Sequence, residues 1–214
     1  MSVCADLRER TRYPGAYVPG DFRDLPSVVA SQYLSRLARQ GWLRHQGRVY
    51  VRPPVDDEAI VLAVLRKLGQ AEFLAARDAA LEQLLIEPSD GRRAAVLVGG
   101  SPHRFEATLP PRWSLVVRDQ ARDQISVHGN VILEALRWQD HWPLGQGEEI
   151  RARIRRWLRL MDPPDIVPAL GAEPAAVRHE IRHLFQEVGW DPGLVGQAQR
   201  SPRRVRQVTL RGIA

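Results

Sequence analysis

The chain is poor in cysteine, in lysine and in long apolar runs, and two of these scarcities exclude classes of structure. The single Cys4 cannot form a disulfide within the chain, which fits a reducing compartment. No run of about 18 apolar residues occurs, so no segment is expected to span a membrane. Residues 1–12 are charged from Asp6 onward and lack a hydrophobic signal core. We therefore expect a cytoplasmic protein without a membrane partner.

The basic residues are concentrated at the two ends of the chain. Residues 1–54 contain nine Arg and four acidic residues, and residues 200–214 contain five Arg and no acidic residue, a balance of +5 in each case. The residues between them carry 17 basic and 21 acidic groups, a balance of −4. A GC-rich genome explains the preference for Arg over Lys without any chemistry, but it does not explain this segregation. Segregated positive charge is typical of a nucleic-acid-binding protein.

Residues 21–53 have the pattern of a short helix, a tight turn, a longer helix and a two-stranded hairpin. Apolar residues recur at helical intervals in the longer helix, at Val29, Tyr33, Leu34 and Leu37. Ser27 is placed to cap the start of this helix and Gly41 to end it. The pattern predicts a helix over 27–40 and a basic hairpin, or wing, over 44–52.

The flanking residues complete the expected module. Residues 2–12 predict a short helix, and residues 16–18 predict a small strand that pairs with the wing. Two consecutive prolines, Pro53 and Pro54, end the unit because they continue neither a central strand nor a helix. This order of elements predicts a winged helix-turn-helix over 1–54, with the helix at 27–40 as the reading helix.

The outward face of the predicted reading helix is polar and has almost no acidic group. Short hydroxyl, amide and guanidinium side chains suit the floor and walls of a DNA major groove. We expect DNA contacts from the helix by Ser27, Ser31, Gln32, Ser35, Arg36 and Arg39. Arg44 and Arg48 of the hairpin would hold adjacent phosphates or enter the minor groove.

The same stretch carries a resemblance to a known family. The residues concerned are Asp21-Phe22, Leu25, Leu34-Ser35-Arg36-Leu37, Gly41, Gly47-Arg48-Val49-Tyr50 and Pro53. They resemble the N-terminal DNA-binding domain of the type IV abortive-infection (AbiEi-like) antitoxins and related regulators. The resemblance covers residues 1–54, and the rest of the chain does not follow the antitoxin pattern. It implies a transcriptional regulator that represses its own promoter and counters a partner toxin.

Residues 55–146 predict an α/β connecting or dimerisation domain. Helical patterns occur over 60–68, 73–85 and 131–138, and strand patterns over 94–98, 105–109 and 113–117. No chemistry is recognisable in this part of the sequence. Its mild acidity argues against direct contact with DNA.

Residues 147–214 repeat the order of the first module. A helix over 148–160, a short helix over 165–170, a longer helix over 175–188 opened by Pro174, and a basic strand over 203–211 predict a second winged helix. The alternative is a helical bundle with an arginine-rich tail, which would still bind phosphates without sequence preference. The expected DNA contacts are Arg178, His179, Arg182, Arg203, Arg204 and Arg206.

Two motifs are similar to those of enzymes. His179-Glu180-Ile181-Arg182-His183 matches the H-E-x-x-H pattern of zinc proteases, but no third His follows at the metzincin spacing and no Glu follows Glu187. Val98-Gly99-Gly100-Ser101 is similar to the opening of nucleotidyltransferases, whose chemistry needs paired carboxylates that Glu106 alone does not supply. We expect no catalytic residue, no metal and no cofactor.

The sequence therefore predicts a mainly α protein with small β elements (α+β) that binds double-stranded DNA and is not an enzyme. The expected role is a sequence-specific transcriptional regulator of the antitoxin type, with a homodimer and a cognate toxin or defence-system protein as candidate partners. One alternative is a DNA-bridging component of a plasmid, mobile element or phage-defence system. Another, of a different class, is a protein-interaction adaptor.

Overall fold

The helices and strands are distributed over two small sheets and their covering helices. In the computed structural model, which describes residues 3–88, 91–102 and 104–197, eight α-helices accompany two three-stranded sheets. The predicted α+β composition is confirmed. Within these ranges no helix combines the length and the apolar character needed to cross a membrane.

The first sheet belongs to the N-terminal part of the chain. The elements there are α1 (Val3–Arg10), β1 (Gly15–Tyr17), α2 (Ser27–Arg39), β2 (Arg44–Gln46) and β3 (Val49–Arg52). Strand β3 pairs antiparallel with β1 on one side and with β2 on the other. The predicted helix, hairpin and pairing strand are therefore present, while the winged helix-turn-helix itself stays a prediction.

The start of α2 differs from the predicted one. The prediction of a short helix at the start of the stretch 21–53 is wrong, because a 3₁₀ turn, Pro19–Asp21, ends at its first residue. Ser27 lies in the first turn of α2 rather than capping it. Pro26 is the cap residue, with φ −56°, and no side chain bonds to the free N–H groups. Proline fixes a φ suited to helix entry, so the helix begins one residue after it. Gly41 follows the helix end with φ 76°, as predicted.

The central strand β3 of the first sheet is buried on both faces. Tyr50 packs on one face with Leu34 of α2. Val51, the next residue along β3, points to the opposite face and packs with Val64 of helix α3 (Asp57–Lys67). This alternation is the two-residue period of a strand. Helices therefore cover both faces of the N-terminal sheet.

The second sheet consists of β4 (Ala75–Arg77), β5 (Arg93–Val98) and β6 (Trp113–Arg118). The central strand β5 runs antiparallel to β4 and parallel to β6. The strands predicted over 94–98 and 113–117 are confirmed.

Two predictions for the middle of the chain are wrong. The predicted helix over 73–85 is strand β4 followed by the short helix α4 (Asp78–Gln83). Pairing of Ala75 and Ala76 with β5 outweighs the helical propensity of alanine. The predicted strand over 105–109 is a 3₁₀ turn, Glu106–Thr108, whose last residue bonds to the hairpin tip.

The largest core joins the middle of the chain to its C-terminal helices. Helices α5 (Val127–Arg137), α6 (Gly147–Leu158), α7 (Ala175–Val188) and α8 (Leu194–Gln197) all contribute buried residues to it. This core therefore crosses the predicted domain boundary between residues 146 and 147. The division into three domains stays a prediction.

The C-terminal elements follow the predicted order only in part. Helices α6 and α7 are present where the sequence predicts them. The predicted short helix over 165–170 consists of two 3₁₀ segments, Pro163–Asp165 and Val167–Ala172. The predicted basic strand over 203–211 lies outside the described residues, so the second winged helix also stays a prediction.

A buried ionic network connects the 3₁₀ segment Gln120–Gln124 and α5 to Glu173, which lies two residues before the start of α7. Arg122 Nη2 lies 2.7 Å from a carboxylate oxygen of Glu173 and 3.0 Å from one of Glu134, and each of these three side chains is 1% exposed. Arg118 bonds Glu134 with two nitrogens, and Arg137 bonds Glu173. Burial lowers the pKa of Arg122, and the charges of Glu173 and Glu134 oppose this shift. Two carboxylates and three guanidinium groups thus lie together in this network, which leaves one positive charge.

We expect Arg122→Met to destabilise the protein by about 3–5 kcal/mol, because it leaves the buried carboxylates short of one partner. The measurement is the free energy of unfolding in urea. Arg153→Gln is the control, since Arg153 pairs with Glu149 at a surface where both side chains are at least one-third exposed. Loss of that pair should cost less than about 1 kcal/mol. Equal losses for the two variants would contradict a stabilising role of the buried network.

Candidate nucleic-acid interface

Helix α2 carries six of the fourteen residues predicted to contact DNA. Ser27, Gln32, Arg36 and Arg39 are exposed, and Ser31 and Ser35 are half-buried. Helix α2 contains no acidic residue. The helix rests on its apolar side against α1 and the first sheet, with Ala30, Leu34 and Leu37 buried. The opposite side is therefore a polar and basic strip along the helix.

Ser35 is less available for a contact with DNA than the sequence suggests. Its hydroxyl lies 2.7 Å from the hydroxyl of Tyr50 on strand β3. The Tyr50 hydroxyl also lies 3.5 Å from the carbonyl oxygen of Ser31. These contacts fix the rotation of α2 relative to the sheet. Ser35 and Ser31 thus position the helix as well as lining its outward face.

The arginines of this region have no carboxylate partners. Among the residues that the structure describes, Arg36, Arg39, Arg44 and Arg48 take part in no ion pair. By contrast, helix α6 carries Arg151, Arg153 and Arg155, and each of these pairs with glutamate.

The acidic residues nearest to α2 in the sequence are paired elsewhere. Asp24 accepts two hydrogen bonds from Arg10, which lower the pKa of that carboxyl group. Asp21 pairs with Arg66 at 2.9 Å. The charge of the α2 arginines is therefore not offset by these two carboxylates.

The tip of the β2–β3 hairpin does not project freely. Gly47 sits at the turn with φ 56°, and a Cβ atom added there would lie 2.2 Å from Thr108 Oγ1. Arg48 N donates a hydrogen bond to Thr108 Oγ1 at 3.2 Å, and Gln46 Nε2 donates one to the Thr108 carbonyl at 3.3 Å. The hairpin tip is therefore packed on the 3₁₀ turn Glu106–Thr108.

Two further contacts hold the same tip. Lys67 Nζ donates a hydrogen bond to the Arg48 carbonyl at 2.7 Å, and burial, with a smaller effect of the Arg48 charge, lowers the pKa of Lys67. The Arg48 guanidinium lies over the ring of Phe105, with its Cζ atom 5.3 Å from the ring centroid. Arg48 remains exposed, so its backbone is fixed while its charge stays at the surface.

A basic cleft of about 640 Å³ opens between the C-terminal end of α2 and the hairpin. Its polar lining includes Arg39, Arg44, Arg52 and His45. No Asp or Glu is found among the described residues that line it. The cleft therefore offers positive charge next to the strip on α2, and it suits a phosphate group.

Trp42 is the tryptophan that lines the basic cleft, and two arginine side chains pack on its ring. The Cζ atoms of Arg52 and Arg8 lie 3.8 and 4.3 Å from ring centroids of Trp42. Arg52 Nη1 donates a hydrogen bond to the Trp42 carbonyl at 2.7 Å, and Trp42 Nε1 donates one to Thr11 Oγ1 at 3.1 Å. These contacts hold Trp42 in place at the wall of the cleft.

Three of the C-terminal residues predicted to contact DNA lie on α7, which packs against α5, α6 and α8. His179 and Arg182 are exposed, whereas Arg178 is half-buried and donates a hydrogen bond to the Glu173 carbonyl. Arg203, Arg204 and Arg206 lie outside the described residues. The structure therefore places α2 and α7 in separate parts of the fold.

The residues of the H-E-x-x-H motif do not act together, because the two histidines and the glutamate have different partners. The Nε2 atoms of His179 and His183 lie 3.2 Å apart at the surface, but Glu180 pairs with Arg151 at 2.6 Å. In the part of the chain that the structure describes, no group of three or more His, Cys, Asp and Glu residues is arranged to hold a metal ion.

Three residues that lie next to the predicted DNA contacts were not predicted from the sequence. Val28 is 69% exposed in the first turn of α2, on the polar side of the helix. His45 and Arg52 line the basic cleft. The alternation of side chains along the hairpin strands could have predicted the faces on which His45 and Arg52 lie. Only the tertiary fold brings these two residues next to Arg39.

Comparisons with known proteins identify no relative by sequence. No protein-family model matches this chain, and no curated protein matches it. The solved structure of the Rv2827c protein from Mycobacterium tuberculosis superposes on it with a TM-score of 0.48 and 14% identity, covering 92% of this chain and 78% of that one. At this identity and score the likeness indicates neither the function nor the partners of the chain.

We expect Gly47→Ala to destabilise the protein more than Gly41→Ala, by about 1–3 kcal/mol. Both glycines have positive φ, 56° at Gly47 and 76° at Gly41, so both substitutions strain the backbone. Only the new methyl group at position 47 meets Thr108, since no atom lies within 4 Å at position 41. Urea unfolding of the two variants measures the difference. Equal unfolding free energies would show that the tip contact contributes nothing to stability.

Proposed function

We propose that the protein binds double-stranded DNA through a winged helix-turn-helix formed by residues 1–54. The observation that carries the proposal is the group of arginines on α2 and the hairpin without carboxylate partners. An uncompensated basic surface attracts a polyanion, and release of counterions from DNA phosphates favours binding.

In the proposed complex, α2 lies in the major groove. Gln32, Arg36 and Arg39 are exposed on one side of this helix and carry the side-chain types that bond base edges. Val28, exposed beside them, would contact a thymine methyl group. Ser35 keeps α2 oriented on the sheet through Tyr50.

The hairpin and the basic cleft would contact the sugar-phosphate backbone. Arg44 lies on strand β2 at the edge of the sheet, and Arg48 lies at the tip. Because Thr108 and Lys67 hold the tip, the phosphate-binding groups keep a fixed distance from α2. Phosphate contacts of this kind set the register of a protein on DNA without reading sequence.

The biological role within this proposal is a sequence-specific transcriptional regulator of the antitoxin type. The support for that role is the resemblance of residues 1–54 to the AbiEi-like antitoxins. Repression of the gene's own promoter, homodimer formation and neutralisation of a toxin or defence-system protein are parts of the proposal that rest on this resemblance alone.

We expect Arg36→Ala to weaken binding to the protein's own promoter by about 1–3 kcal/mol, because it removes a base-reading group. Arg44→Ala should weaken binding to all sequences and reduce the slope of log K against log salt by about one unit, because it removes a phosphate contact. Mobility shifts on promoter and random DNA, between about 50 and 200 mM salt, measure both effects.

Arg156→Ala is the matched control for charge. Arg156 is exposed in the last turn of α6 and lies outside the proposed interface, so this variant should bind as the unmodified protein does. If the unmodified protein fails to bind any DNA at low salt, the proposal is wrong. Binding that ignores sequence and joins separate duplexes would instead favour the DNA-bridging alternative.

A further inference from the structure

A second cavity, of about 340 Å³, lies among β4, β6, the end of α5 and the start of α7. Three arginines line it: Arg77, Arg118 and Arg137. Of the two acidic residues in its wall, Glu134 is fully buried and Asp140 is exposed. Cavities of this size hold small molecules rather than a duplex or a protein segment.

Two of the three arginines have nitrogen atoms with no hydrogen-bond partner among the described residues. Arg118 is fully occupied, since Nε and Nη2 bond Glu134 and Nη1 bonds the Val117 carbonyl. Arg137 uses Nε for Glu173, and within the described ranges its two Nη atoms have no partner. Arg77 uses only Nη1, for Ser114 Oγ at 3.1 Å. Four nitrogen donors of Arg77 and Arg137 are therefore unassigned beside one cavity.

The charged side chains around the cavity nearly balance one another. The buried network beneath it contains three arginines and two glutamates, which leaves one positive charge. Arg77 adds a second positive charge, while Asp140 at the surface and the buried Asp78 beside Trp138 each carry a negative charge. An anion would therefore be held by the unassigned guanidinium donors rather than by an excess of positive charge.

Arg77 is held in an unfavourable backbone conformation that places it at this cavity. Its φ of 55° and ψ of −132° lie in a region that residues with a side chain rarely adopt. The next residue, Asp78, is fully buried and accepts hydrogen bonds from Arg92 N at 2.8 Å and Trp138 Nε1 at 3.0 Å. The Arg77 guanidinium lies over Trp138, with Cζ 5.2 Å from the ring centroid. The surrounding contacts therefore fix this guanidinium against the aromatic wall.

We propose that this cavity binds a phosphate group, as inorganic phosphate or as the phosphate of a small metabolite, between the guanidinium groups of Arg77 and Arg137. Planar guanidinium groups with paired N–H donors match the oxygens of a phosphate. The site is separate from α2 and the hairpin, so this inference does not depend on DNA binding.

Calorimetric titration of the full-length protein with sodium phosphate tests the proposal, with sodium chloride at matched ionic strength as reference. We expect saturable binding and a phosphate-dependent rise of the unfolding temperature.

Arg77→Gly removes one guanidinium and suits the positive φ, so the chain should fold and bind phosphate at least about tenfold more weakly. Arg137→Lys keeps a charge near Glu173 but loses the paired donors, and should weaken binding similarly.

Arg156→Gln removes one exposed charge that does not line the cavity and should leave phosphate binding unchanged. Glycerol 3-phosphate in place of inorganic phosphate separates the two sources, because tighter binding of the ester would identify a metabolite. Absence of saturable phosphate binding would overturn the proposal. So would equal binding of acetate, or unchanged phosphate affinity in both Arg77→Gly and Arg137→Lys.

Discussion

The packing of α3 between two cores is the constraint on which the rest of the structure depends. Ile60, Ala63 and Val64 pack against the N-terminal sheet, while Val61 and Leu65 belong to the largest core. All five side chains are at most 5% exposed. Separating the N-terminal sheet from the remaining chain would expose both sets to water, at about 25 cal/mol for each Å² of apolar surface. The packing of α3 therefore joins the two parts.

Local patterns predicted the elements of the N-terminal part well. The apolar spacing of α2, the glycine after its end and the basic hairpin are all short-range signals, and the structure has an element for each. The predictions failed where pairing with distant residues decides the outcome. Alanine-rich Ala75–Arg77 forms a strand because β5 lies beside it, and Phe105–Leu109 turns because its residues pack under the hairpin. No local pattern contains that information.

The candidate site was predictable in its charge but not in its geometry. Segregated arginines indicated a basic N-terminal surface, and Arg36, Arg39, Arg44 and Arg48 are exposed there. The contact of the hairpin with Thr108 joins residues about sixty positions apart, and the sequence gives no sign of it. The same holds for the buried network, in which Arg122 meets Glu173 across 51 positions. From the sequence alone, charged residues such as these are expected at the surface, and only the fold shows that they are buried.

The docked hairpin tip has a consequence for how a duplex would be accommodated. A hairpin fixed at both its strands and its turn loses little conformational freedom when it meets a partner, so less of the binding free energy is spent on ordering it. Such a hairpin also cannot move to follow a groove of another width. In the proposed complex the DNA must adapt its groove width and bending to the protein. Sequences that deform easily would then be preferred even at base pairs that no side chain touches.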